Sequence, residues 1–394
     1  MREIRAGGAV ALLATLALVP AAPARAEASC TPPPAPGQQI TGVPWPQARY
    51  DLRRLTGIAD GAGITVAVID SGVDAAHPQL AGAVLPGEDL LSPGGTGRSD
   101  CVGHGTAVAS IIAAAPAAGT DFAGVAPRAR ILPFRVTERE VVDGHPQGRD
   151  APPGGLARAI RDAAGHAQVI NLSLAQEEDD PQLRAAIGYA VARDVVVVAA
   201  AGNEHRDSGT DPPSYPAGYP GVLGVGAIDQ NGVRLARSQV GGYVSLVAPG
   251  SGVVAAAPGE GLARYDGTSF AAPFVAATAA LIRGYYPGIH ADEVVARILA
   301  TTDPAPGGRP SAAYGYGILN PYRAVTDQLA TGLPPVSRPA ALAPPAGPGA
   351  PVPSPARGTA LLLALGGILL ASLIGLVATV LPHGAARHWR PGRT

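Results

Sequence analysis

Between Gly61 and Ala227 the chain alternates short apolar runs with longer stretches of helical periodicity, and this alternation leaves few folds open. A run such as Val66–Ile69, apolar at every position, would leave one face exposed in a half-solvated sheet. It suits a parallel sheet whose two faces are both covered by the helices that carry the chain from strand to strand. The predicted strands are Ile64–Ile69, Arg130–Val136, Val169–Ser173, Val195–Ala200 and Val222–Ala227. The predicted helices are His104–Ala114, Gly155–Gly165, Pro181–Arg193 and, later, Ser269–Tyr286. The expected fold class is α/β, a parallel sheet with helices on both faces. Such sheets gather their chemistry outside the carboxyl ends of the strands. Asp70, Ser173 and Asn203 all sit there, although each is also a common turn residue, so position alone assigns none of them a role.

The two ends of the chain read differently. Arg2 and Arg5 precede an apolar run over Ala6–Val19, and Ala24-Arg25-Ala26 supplies the small residues of a signal-peptidase site. Residues 1–26 are therefore expected to be a secretory signal, with an apolar core too short to span a bilayer. Residues 359–381 carry no charge and are long enough to cross, which predicts a single C-terminal transmembrane helix. Arg387, Arg390 and Arg393 follow it, so the positive-inside rule puts the tail, residues 382–394, in the cytoplasm and the body of the chain outside. Residues 331–358 hold nine prolines among alanines and glycines, a composition that cannot bury a core and favours an extended linker. At ~3.1 Å per residue such a linker reaches at most roughly 87 Å. There remain an N-terminal extension, residues 27–50, and one large globular domain, residues 51–330.

A net charge of −1 offers no basic face to nucleic acid. The two cysteines, Cys30 and Cys101, both fall in the part expected outside the cytoplasm, where a single disulfide is the economical reading. Two isolated cysteines are too few for a metal site, no Asp-rich run compels calcium, and no cofactor is expected. The polar stretch Glu138–Gly154 reads as a mobile surface loop without an assigned role.

Four segments carry the parts needed to cut a peptide bond: a nucleophile, a base to take its proton, a group that holds the base, and donors for the oxyanion. Ser269 lies in DGTSFAAP at the predicted start of a helix, where its hydroxyl is exposed and its own N–H points toward a developing negative charge. An N-cap serine would look the same. His104 lies in GHGTAVA, between glycines, where a core or surface histidine is the plainer alternative. Asp70, in VAVIDSGVD, leaves a strand buried on both faces and needs a partner such as His104, because an unpaired buried carboxylate is costly. Asn203, in AAAGN, offers a side-chain amide to the oxyanion.

In these blocks and their order the chain resembles the subtilisin-like serine proteases, over roughly Tyr50–Val325. The order Asp, His, Ser separates that family from other users of the same triad. The resemblance implies that Asp70 orients the imidazole, His104 is base then acid, Ser269 attacks, and Asn203 with the Ser269 amide binds the oxyanion. It also implies that Ser173-Leu174-Ala175 lines the substrate cleft; many relatives have glycine where Ala175 stands, so an extra methyl should reshape the pocket. More narrowly the chain is similar to the mycosins, subtilisin-like proteases of actinobacterial type VII secretion systems. The signal peptide, Cys30 before a PWPQ segment, Cys101 just before the histidine block, the Pro-rich linker and the C-terminal span carry that likeness. It implies protein substrates and a secretion membrane complex as partner, with a mainly structural role in that complex as the alternative. Subtilisin-like enzymes usually carry a folded, removable propeptide, but only about 35 residues separate Ala26 from Gly61, which suits a proline-rich strap instead.

Overall fold

The computed structural model describes residues 36–142, 145–207, 210–329, 366, 369 and 371–378. Along the chain come α1 (Trp45–Tyr50), β1 (Thr65–Asp70), β2 (Glu88–Asp89), α2 (His104–Ala113), β3 (Arg130–Arg135), β4 (Glu140–Val142) and β5 (His145–Gln147). They are followed by α3 (Gly155–His166), β6 (Val169–Leu172), α4 (Pro181–Ala192), β7 (Val196–Ala200), β8 (Val222–Ile228) and β9 (Leu246–Pro249). Last come β10 (Val253–Ala256), β11 (Leu262–Tyr265), α5 (Thr268–Tyr285), α6 (Ala291–Ala300) and α7 (Pro321–Thr326).

The central sheet has seven strands in the order β2-β3-β1-β6-β7-β8-β9, and every pairing in it is parallel. Side chains of a strand alternate between its faces. Val66 and Val68 of β1 and Val196 and Val198 of β7 accordingly join the core under α2 and α5. Their neighbours Ala67, Ile69, Val197 and Ala199 join a separate core under α3 and α4. Both faces are thus covered, as the unbroken apolar runs require.

The five strands and four helices expected from the sequence are present with ends shifted by about a residue. The stretch expected to be a loop, Glu138–Gly154, is instead closed on itself as the antiparallel pair β4–β5. Glu138 anchors it, pairing with Arg149 at 2.7 Å and with the fully buried Arg135, which also binds Asp89 at 2.9 Å. The sequence reading missed this because ion pairs between a strand end and an insertion leave no periodic trace.

Residues 36–50 lie against the body of the domain. Gly37 and Gln38 bridge to the β10–β11 hairpin, the Gly37 N–H donating to the Glu260 carbonyl at 2.7 Å and Gln38 and Leu262 exchanging two backbone hydrogen bonds of 2.8 Å. Trp45 Nε1 donates to the Ser251 carbonyl at 2.8 Å, and the Tyr50 ring packs edge-on against Phe274.

A second unit, Leu342–Thr394, is described only at residues 366, 369 and 371–378, which are helical. No helix among the described residues is long and apolar enough to cross a membrane. Most of the span expected over residues 359–381 lies outside the described residues. So do the signal at 1–26, Cys30, the linker at 331–358 and the tail at 382–394.

Candidate active site

Asp70 is the last residue of β1 and is buried to 2% exposure. Its Oδ1 lies 2.7 Å from His104 Nδ1 and also accepts the Ser71 N–H at 2.7 Å. A carboxylate in this place accepts a hydrogen bond from Nδ1–H, which leaves Nε2 as the unprotonated, basic nitrogen. His104 is the first residue of α2. Gly103 before it adopts φ +90°, a left-handed conformation that a side chain resists, and turns the chain from loop into helix. Gly105 after it has no room for a Cβ, which would stand 2.0 Å from the Gly72 carbonyl oxygen. The two glycines thus let α2 start close enough to the end of β1 for the two side chains to meet. The imidazole is flanked by the Phe270 ring, 5.1 Å between centroids.

A second buried carboxylate, Asp100, stands behind this pair and was not singled out in the sequence. It accepts the Gly103 N–H at 2.8 Å, the Thr106 N–H at 2.8 Å and the Ser71 hydroxyl at 2.9 Å. Ser71 Oγ in turn accepts the Gly105 N–H at 2.9 Å. Asp100 therefore satisfies amides at the start of α2 that have no acceptor within the helix. The available signal was an aspartate a few residues ahead of a helix start with a threonine beyond it. Burial raises the Asp100 pKa against the hydrogen bonds from Thr106 and Gly103, and the Asp70 charge adds to the rise. At His104 burial disfavours the charged ring, but the Asp70 charge and hydrogen bond, with Asp100 farther off, prevail and raise its pKa above the ordinary value.

Ser269 is the second residue of α5, whose fourth residue beyond it is Pro273. Proline has no N–H, so the Ser269 carbonyl loses its normal partner in the helix. Ser173 Oγ takes that place at 2.7 Å, and Ser269 Oγ donates back to the Ser173 carbonyl at 3.1 Å. The resemblance implies that Ser173 lines the cleft, and the structure adds that it holds the Ser269 backbone. Among the described residues no hydrogen bond joins Ser269 to His104. Such bonds are often formed only when substrate is bound.

Asn203 follows β7, and its Oδ1 accepts the Thr268 N–H at 3.0 Å and the Thr268 hydroxyl at 3.2 Å. A backbone N–H can only donate, so the amide orientation is settled and Nδ2 is the atom left for an oxyanion. The Ser269 N–H, in the first turn of α5, likewise has no acceptor within the helix. Ala175 borders the same cleft, together with Gly202, Asn203 and Ser269. Asn203→Ala protein is expected to retain its fold and lose on the order of 10²- to 10³-fold in kcat, the size known for the equivalent donor in subtilisin. Steady-state kinetics on a peptide substrate check this.

Cys101 carries no free thiol. Its sulfur lies 3.6 Å from Arg135 on the α2 side of the sheet end, and Cys30 falls outside the described residues.

A helix-borne serine and an imidazole braced by a buried carboxylate are used together by acyl transfer, and the chain is a serine endopeptidase of subtilisin-like architecture. It belongs to the subtilase family, whose model matches residues 61–317. Mycosin-1 of Mycobacterium tuberculosis is 36% identical over 348 residues, covering 77% of each chain. A solved structure described as the serine protease MycP1, an essential component of the type VII (ESX-1) secretion system, is 36% identical with a TM-score of 0.65, over 74% of this chain and 92% of that one. A crystal structure of MycP1 with its N-terminal propeptide removed is 34% identical with a TM-score of 0.64, over 74% of this chain and all of the other.

Proposed function

We propose that this chain is a mycosin-like endopeptidase tethered to the outer face of the cell membrane, where it cuts protein substrates in association with a type VII secretion complex. The observation that carries the catalytic part is the 2.7 Å contact between His104 and Asp70, and it is supported by Asn203, whose Oδ1 is taken by the Thr268 N–H so that Nδ2 is left to donate. In the proposed cycle Ser269 Oγ leaves the Ser173 carbonyl, gives its proton to His104 Nε2 and bonds the substrate carbonyl carbon. Asn203 Nδ2 and the Ser269 N–H hold the oxyanion. The amine departs with the proton from His104, and water reverses the same steps to release the acid. Asp70 stays ionised throughout and stabilises the imidazolium. The tether reading rests on the uncharged stretch 359–381 and the arginines after it, and the partner reading on the likeness to MycP1.

A membrane-impermeant fluorophosphonate added to intact cells tests these parts together. The expected result is labelling of the wild-type chain at Ser269, recovered with the membrane fraction, and none in Ser269→Ala. Labelling only after lysis would refute the outward topology, and recovery in the medium would refute the tether.

We further propose that residues 27–50 remain on the mature enzyme as a strap, held by a Cys30–Cys101 disulfide. The contacts of Gly37, Gln38 and Trp45 support this, while the MycP1 structure lacking its propeptide illustrates the opposite outcome. A 71-residue loop closed by this bridge would add roughly 4 kcal/mol in the chain-entropy account. Intact-mass measurement before and after reduction decides between them. A chain starting near Glu27 that gains two hydrogens on reduction is expected, and active enzyme starting near Gly61 would overturn the strap.

A further inference from the structure

Two buried residues behind the triad have no part in the proposed cycle: Ser71, at 1% exposure, and Asp100, at 4%. Resting on the peptidase reading, we propose that they act as one positioning unit. Ser71 clamps the end of β1 that carries Asp70 to the start of α2 that carries His104, and an ionised Asp100 fixes the direction of that clamp.

The protons available decide how this unit is wired. The Ser71 N–H donates to Asp70 Oδ1 at 2.7 Å, and Ser71 Oγ accepts the N–H of Gly105, the residue after His104, at 2.9 Å. One residue thus grips both sides of the Asp70–His104 pair. A hydroxyl has a single proton, and Ser71 directs it to Asp100 Oδ1 at 2.9 Å. The same oxygen accepts the Val102 and Gly103 N–H groups at 3.0 and 2.8 Å. Asp100 Oδ2 accepts the Thr106 N–H at 2.8 Å. Thr106 Oγ1 accepts the Asp74 N–H at 2.9 Å, so its own proton goes to Asp100 Oδ2, 2.6 Å away. Both oxygens are therefore filled by donors, and a proton on either would turn one of them away. These bonds hold Asp100 as a carboxylate against the rise that burial imposes on its pKa.

The surrounding charges make the unit matter to His104. Among the described residues Asp100 has no ion-pair partner. Arg98, two positions earlier, makes no salt bridge with it, and Arg135, level with Asp70 in the sheet, is held by Asp89 and Glu138. The Asp74 carboxylate is taken by the Ala76 and Gly259 N–H groups. On the β11 side Tyr265 stays a neutral phenol that donates to the Ala256 carbonyl at 3.2 Å, its pKa pushed up to about 12 by burial and, less, by the Asp100 charge. Asp70 in contact and Asp100 behind it are thus the anions that raise the His104 pKa, against the burial that lowers it. A buried carboxylate without a cation is costly, and that cost is relieved when His104 takes the serine proton and becomes positive.

The test uses the full chain in detergent, with Ser71→Ala and Asp100→Asn made singly and together. Ser71→Ala removes one hydroxyl and keeps the Ser71 N–H. It is expected to lower kcat about tenfold or more with KM changed less than about twofold, since substrate contacts are untouched. The acid limb of kcat/KM is expected to move to lower pH, because Asp70 is held less firmly to the imidazole and the His104 pKa falls. Asp100→Asn is expected to move the limb further, as it also removes a negative charge. The double variant should lose little more than the worse single, as two members of one unit do. Residues that only stabilised the fold would lower Tm and leave the limb in place. Fluorophosphonate labelling of Ser269 is followed over the same pH range. If wild type labels and cuts while folded Ser71→Ala keeps its kcat or its acid limb, the inference alone is overturned. A stationary limb in Asp100→Asn, or losses that multiply in the double variant, overturns it too. Should Asp100→Asn fail to fold, Ser71→Ala decides by itself on the same terms. A wild-type chain that neither labels nor cuts overturns the peptidase reading and the inference with it.

Discussion

Ser269→Ala protein is expected to lose peptidase turnover by about 10⁶-fold, the size found for the nucleophile of subtilisin, while keeping its fold. The reason for the asymmetry lies in how Ser269 is held. Among the described residues its hydroxyl makes a single hydrogen bond, to the Ser173 carbonyl, worth about 0.5–1.5 kcal/mol in net terms. The bond that organises the start of α5 runs the other way, from Ser173 Oγ to the Ser269 carbonyl, and survives the substitution. Thermal denaturation should therefore show a shift of only a few degrees, and a peptide assay should show near-complete loss. Undiminished turnover in purified Ser269→Ala protein would remove the nucleophile assignment.

For Asp70→Asn the expected loss is about 10⁴-fold near neutral pH, as in the corresponding change in trypsin-like enzymes. Asparagine can present an N–H to His104 Nδ1, which favours the tautomer whose Nε2 carries the proton and cannot serve as base. The pH profile adds a second readout. His104 must be neutral to accept the serine proton, so kcat/KM falls as pH drops through its pKa. In the wild type that pKa is raised, with burial opposing and the Asp70 charge and hydrogen bond prevailing. Removing the carboxylate leaves burial as the main influence, so the acid limb of the variant is expected to move to lower pH. A limb that stays in place, or moves up, would show that Asp70 does not set the titration of His104.

Much of this site was legible because each of its members ends or begins a regular element. Asp70 closes a run of buried β-branched residues, and Ser269 and His104 open alanine-rich helices beside glycines, so local pattern places all of them at one edge of the sheet. Ser173 and Asn203 follow from the same rule, since they trail β6 and β7, whereas Ala175 came from the family resemblance. The boundaries agree to about a residue for a related reason: a strand buried on both faces cannot be extended into polar sequence without stranding a side chain in one of the two cores.

Asp100 was not legible, although it shapes the site as closely. Its role depends on a partner far away in the chain, Ser71, and a side chain aimed at a distant group leaves no periodicity behind. The insertion at Glu138 is the same case, since its hairpin is tied down by Arg135 and Arg149, which the local sequence does not pair with it. Sequence by itself determined the layered α/β architecture and placed Asp70, His104 and Ser269, in that order, at the ends of its elements. Hydrophobic periodicity and turn chemistry act over a few residues and can be read from them. Only the tertiary structure decided that Ser173 replaces the hydrogen bond Pro273 cannot make and that Asn203 turns its Nδ2 outward. These features require groups from separate strands and helices to come within 3 Å or so, and packing of the whole domain is what brings them there.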